Sequence, residues 1–129
     1  MKKVLIVLGV VVVVLVLAVG GFALFLNNGK AATETLAIGP INPAQLADGT
    51  YNGQYSGGRF TNRLEVTVQD GKITAIDVMQ PVVIEKEEVR SRIIQSVIDS
   101  QSTDVDTQTG ATITTKAYLK SIEDALDGK

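Results

Sequence analysis

Residues 62–79 read NRLEVTVQDGKITAIDVM, and the fold class turns on how this stretch is paired. Leu64, Val66 and Val68 alternate with charged or polar neighbours, the two-residue period of a strand with one covered face. Asp70-Gly71 follows, two residues that tolerate positive φ and so suit a tight hairpin turn. The return strand begins with Ile73 but carries Ile76 and Val78 on the opposite parity. Either a bulge near Ala75 shifts the alternation, or the strand is covered on both faces.

Upstream, DGTYNGQYSGGRF (48–60) opens on another Asp-Gly signal and predicts a strand at about Thr50–Tyr55, with Gly57 and Gly58 turning the chain. Downstream the period changes. Val89, Ile93, Ile94, Val97 and Ile98 recur at three- and four-residue spacing, which predicts an amphipathic helix over 86–100. Glu85, Glu87 and Glu88 fall in or just before its first turn, where the helix dipole favours negative charge. A second helix should follow Thr112, with Tyr118, Leu119, Ile122, Ala125 and Leu126 on one face and Gly128 past its end. Three strands and two helices make a small α+β domain with an antiparallel sheet, occupying residues 48–129.

The stretch 27–47 is small, polar and interrupted by Pro40 and Pro43, without a sustained period. It reads as a flexible tether spanning ~25 Å. Before it, an uncharged apolar run from Val4 to Leu26 follows Lys2 and Lys3. That run makes roughly 35 Å of helix, enough to cross a ~30 Å hydrocarbon core. It is longer than the ~7–15 apolar residues of a cleaved signal peptide, which favours a retained transmembrane anchor held by membrane lipid. Lys2 and Lys3 place the short N-terminus in the cytoplasm, and residues 27–129 outside it.

Those outer residues hold ten Lys/Arg against fourteen Asp/Glu and no basic run, so nucleic acid is not an expected partner. The chain contains neither cysteine nor histidine. Disulfides, thiolate metal sites, His-ligated zinc or haem and Ser-His-Asp hydrolysis are therefore excluded. Redox chemistry on this chain would need a borrowed cofactor.

One short motif concentrates chemistry. DTQTGAT (106–112) places an acid, three threonines and a Gly-Ala pair at the mouth of the second helix. Taken alone, Thr109 or Thr112 reads as a helix cap, with Gly110 relaxing the backbone. The constellation is tighter than a cap, because it fits Asp-x-x-[Ser/Thr]-Gly-Ala-[Ser/Thr]. Average composition produces that pattern by chance in on the order of one chain in two thousand of this length.

The pattern resembles the flavinylation signature of the FMN-binding domain found in subunits of sodium-pumping NADH:quinone reductases and of the Rnf electron-transport complex. DGTYNGQY, LEVTVQDGKITAIDV and DVDTQTGATITTKAYLKSIEDAL resemble that domain in the same order. The resemblance implies that a flavin transferase joins the phosphate of FMN to the Thr112 hydroxyl by a phosphoester bond. It implies that Asp106, Thr109, Gly110 and Ala111 form the recognition loop; no resident metal is expected. Thr109 stands where the family more often has Ser, and MQPVVIEKEE (79–88) lacks the His-x-Glu-Thr-like stretch of many members.

Tyr51, Tyr55, Phe60 and Tyr118 are candidates for stacking on the flavin ring, each also suited to ordinary packing. Met79, Gln80 and Pro81, at the end of the third strand, are candidates for lining the ring pocket. In sum the sequence predicts a membrane-anchored extracytoplasmic electron carrier rather than a stand-alone enzyme. Its redox partner would be quinone-linked or a multi-subunit electron-transport complex in the membrane. Two other readings fit the same residues: a sensory module holding flavin or another anion noncovalently, and a structural surface domain.

Overall fold

Helix α1 (Lys2–Asn27) is long and apolar enough to cross a membrane, by length and composition, and none of its residues is buried within the protein. The computed structural model describes residues 1–105 and 112–127. A single helical turn, α2 (Lys30–Glu34), follows, and then the three strands β1 (Gly49–Tyr55), β2 (Asn62–Gln69) and β3 (Lys72–Gln80). They pair antiparallel in the order β1-β2-β3. Helices α3 (Glu87–Ser100) and α4 (Thr112–Leu126) complete an α+β domain.

The broken parity of β3 resolves into bulges. Thr67 faces Ala75 and Val68 faces Ile73, so Thr74 is the extra residue, one position from where the alternation predicts it. The shift lets Ile73 and Ile76 both turn inward. A second shift, where Arg63 faces Gln80 and Leu64 faces Val78, leaves Met79 as the extra residue. Leu64, Val66 and Val68 are fully buried and form the centre of the core together with Ile93, Val97, Tyr118 and Ile122. Gln101 stitches α3 to the sheet: its side chain accepts from Ile73 N at 2.6 Å and donates to Ile73 O at 2.9 Å.

Helix α4 approaches β1 unusually closely. A Cβ on Gly53 would overlap Ser121 O and come within 2.7 Å of Ala125 Cβ. The approach is locked by buried polar groups. Asn62 Nδ2 donates to Phe60 O at 3.1 Å and to Ala117 O at 3.2 Å, while Ser121 Oγ donates to Asn62 Oδ1. At the surface Gln54 N donates to Asp124 Oδ2 at 3.0 Å. Among the described residues no buried side-chain nitrogen or oxygen lacks a partner.

The stretch expected to be a free tether lies on the domain instead. Thr33 is buried and shares a 2.9 Å hydrogen bond with the Tyr55 hydroxyl. Lys116 Nζ donates to Glu34 O at 2.6 Å, and Glu123 Oε2 accepts from Gly39 N at 3.0 Å. Thr103 Oγ1 donates to Gly39 O at 2.8 Å. Ile38, Ile41 and Leu46 cover the core from the side. The partners of this stretch come from far along the chain, which is why its local sequence shows no period.

Gly53→Ala should push α4 off the sheet. We expect unfolding of the full chain in detergent, followed by urea, to show a loss at the upper end of the ~1–3 kcal/mol typical of overpacking, or beyond it. Unchanged stability would mean that α4 does not sit this close to β1.

Candidate functional site

Thr112 is the first residue of α4 and its side chain is exposed. The first N–H groups of a helix have no intrahelical partner, and the dipole makes that end partially positive. Asp106, Thr109, Gly110 and Ala111 lie outside the described residues.

Thr112, Ile113 and Thr114 form one wall of an open cleft of about 600 Å³. The other walls are Leu26 and Asn27 from the end of α1, Lys30 and Glu34 from α2, and Arg59 and Phe60 from the turn before β2. A volume of this size lies within the roughly 300–1,000 Å³ of small-molecule sites. Two cations and a helix N-terminus against one carboxylate bias the cleft toward an anion.

Two glycines allow the wall between α1 and the turn to close. Gly29 has φ +82° and Gly58 φ +60°, the left-handed region that glycine enters without penalty. A Cβ on Gly58 would overlap Asn28 O, and one on Gly29 would overlap Gly57 O. Across this joint Arg59 N donates to Asn28 O at 3.2 Å, and Arg59 Nε donates to Leu26 O at 2.8 Å. The same guanidinium donates through Nη1 to Val83 O at 3.1 Å, and its carbon lies 4.1 Å from the centre of the Phe60 ring. One side chain therefore ties the end of α1, the turn before β2 and the loop after β3.

That loop is held from beneath as well. Val82 N donates to the Tyr118 hydroxyl at 3.0 Å, the hydroxyl donates to Glu85, and Arg90 pairs with Glu85. Burial, reinforced by the hydrogen bond to Glu85, pushes the Tyr118 hydroxyl well above the usual phenol range.

The ring-contact candidates are scattered. Tyr118 and Phe60 are core residues, although Phe60 also reaches the cleft. Tyr55 is half-buried against Thr33, and Tyr51 donates to Ala47 O at 2.6 Å. Met79 stands exposed at its bulge, and neither Tyr55 nor Met79 lines the cleft beside Thr112. Sequence reasoning passed over Lys30, Glu34 and Arg59. The available signal was Arg59 directly after a Gly-Gly pair, a cation on a chain forced to turn sharply.

Tyr118→Phe should strand Val82 N and remove one partner of Glu85, at a cost of about 1–3 kcal/mol near neutral pH. The sign of the pH effect follows from the raised pKa. The folded state holds the proton more tightly than the unfolded one, so this contribution is complete below about pH 10 and is lost progressively as pH rises from there to the higher pKa of the folded state. Denaturation measured across the alkaline range should therefore show a shallower loss for Tyr118→Phe than for wild type. Parallel curves would contradict the assignment.

A family model described as an FMN-binding domain matches residues 57–127. No curated protein matches the chain.

Proposed function

The chain belongs to the FMN-binding domain family, matched over more than half its length, and from that premise we propose that it is a membrane-anchored flavoprotein whose FMN is joined covalently to Thr112. The observation that carries this reading is the position of Thr112: an exposed hydroxyl at the first residue of α4, on the rim of the cleft lined by Lys30 and Arg59. Bound FMN supplies one- and two-electron redox chemistry.

The residues fit that group. Thr112 would offer the oxygen of the new phosphorus–oxygen bond as its proton leaves, while the phosphoanhydride bond of the transferase's flavin dinucleotide donor breaks and the nucleoside monophosphate departs. The N–H groups of the first turn of α4 would receive the phosphate, as helix N-termini receive anions elsewhere. Lys30 contributes a mobile charge. Arg59 contributes a fixed one, since its guanidinium is already held by Leu26 and Val83. Phe60 and Leu26 supply the apolar part of the cleft. Because the cleft is open, part of a bound ring would remain accessible for electron exchange.

Asp106 belongs to the transfer reaction, where it would orient the acceptor hydroxyl or the transferase's divalent metal. The outward position of residues 27–129 rests on Lys2 and Lys3 ahead of the apolar run. The partners of this function are a flavin transferase, a quinone-linked donor or electron-transport complex in the membrane, and an extracytoplasmic acceptor. Covalent attachment suits a cleft this open, because it removes dissociation altogether.

The test is the intact mass of the full chain produced with and without a flavin transferase, beside Thr112→Ala. Wild type should gain one FMN less one water only with the transferase, and the variant should gain nothing. No gain in wild type, with the transferase active on a control substrate, would overturn the proposal. Flavin that co-purifies but leaves on denaturation would favour noncovalent binding.

A further inference from the structure

Among the described residues that follow α1, the large apolar side chains that stand exposed fall in one stretch of the chain: Met79 at 52%, Val83 at 46% and Ile84 at 59%. They occupy the end of β3 and the loop that follows. That loop is firmly built. Arg59 holds Val83 O, Val83 N donates to Arg59 O at 3.1 Å, and the Tyr118 hydroxyl accepts from Val82 N. Ile84 has φ +57°, a conformation that a β-branched residue avoids. The tertiary bonds impose this shape and present two apolar side chains to the outside.

Their level relative to α1 is also fixed. The guanidinium that binds Val83 O binds Leu26 O as well, at the end of the apolar run. The run makes roughly 35 Å of helix against a ~30 Å hydrocarbon core, so Leu26 comes at the edge of that core. Val83 and Ile84 are within a guanidinium's reach of the same level.

We propose that Val83 and Ile84, with Met79 at the end of β3, form an interfacial foot that enters the headgroup–acyl boundary of the bilayer spanned by α1. The proposal rests on α1 being a retained span. The foot fixes the tilt of the domain and keeps the Thr112 cleft at the membrane surface. Three side chains are too few for a stable protein interface, which needs roughly 800 Å² per partner, but they suit an interfacial anchor that assists an existing span. Arg59 and Lys86 flank the loop with charges that suit anionic headgroups, and Arg90 neutralises Glu85. The exposed Glu87 and Glu88 begin α3 directly afterwards and limit insertion to the tip.

The chain has no tryptophan, so single tryptophans report position without background. We would place them at Met79 in the patch, at Gln69 roughly 20 Å away at the far end of β2, and at Val13 in the middle of α1. The full chain would be reconstituted in vesicles of phosphatidylcholine and phosphatidylglycerol carrying lipids brominated near the headgroup or deep in the acyl chain. The M79W reporter should be quenched by the shallow label at least threefold more than Q69W, and V13W by the deep label. Adding Val83→Ser with Ile84→Gly should abolish the M79W quenching while leaving the melting temperature in detergent unchanged or higher, since glycine suits the φ of position 84. An unquenched M79W beside a quenched V13W would overturn the foot alone. An unquenched V13W would overturn the span and the foot with it. Shielding of M79W from aqueous acrylamide without bromine quenching would assign the patch to a second copy and overturn the proposal.

Discussion

Helix α4 lies so close to β1 that position 53 has no room for a side chain, and the placement of the whole site follows from that contact. Asn62 and Ser121 hold the approach from within the core, and Asp124 holds it at the surface. With the helix seated there, its first residue, Thr112, necessarily opens toward the turn at Gly58–Phe60 and the end of α1. With the helix even one methyl group further out, neither the Asn62 bonds nor the cleft wall would form as they do. The cost of bringing a helix backbone against a strand is met by glycine at one position and by a fully satisfied polar pair beneath it.

The second constraint is the joint at Gly29 and Gly58. It brings the last turn of α1 into the same cleft as Thr112, with Arg59 bonded across it. A domain on a loose tether would sample a wide arc above the membrane. On the proposed reading of α1 as a membrane anchor, a domain bonded to its end would stay near the surface, and a flavin at Thr112 would exchange electrons with partners that come to the membrane. The stretch 27–47, docked through Thr33, Gly39 and the apolar residues Ile38, Ile41 and Leu46, works in the same direction.

Much of this was legible in the sequence, for identifiable reasons. The hairpin of β2 and β3 announces itself because one face is buried and the turn residues are Asp-Gly, so period and punctuation agree. Even the bulge shows, as a change of parity between Ile73 and Ile76. Helix α3 begins within one residue of its predicted start, because its apolar stripe packs on β3 and no competing signal interrupts it. The docking of 27–47 was not legible, since its order comes from Thr103, Lys116 and Glu123 rather than from its own pattern. The Gly-Gly pair before Arg59 signals a turn locally, but the bonds of Arg59 to the end of α1 also depend on the conformation of Gly29, 29 residues before Gly58, which that local signal does not reveal. Tyr55 is a candidate ring contact by residue type, and Met79 by its place at the end of the third strand. The register shift that turns Met79 outward and the hydrogen bond that ties Tyr55 to Thr33 are properties of the folded chain.

The central claim is that one hydroxyl among several carries the cofactor. Trypsin releases the segment Ile93–Lys116 intact, and it contains Thr103, Thr107, Thr109, Thr112, Thr114 and Thr115. Tandem mass spectrometry of this peptide from flavinylated full-length protein would locate the bond to a single residue. The account predicts a phosphoester-linked FMN on Thr112 and unmodified neighbours. Flavin on Thr114, on Thr109 or on any peptide outside this segment would contradict it.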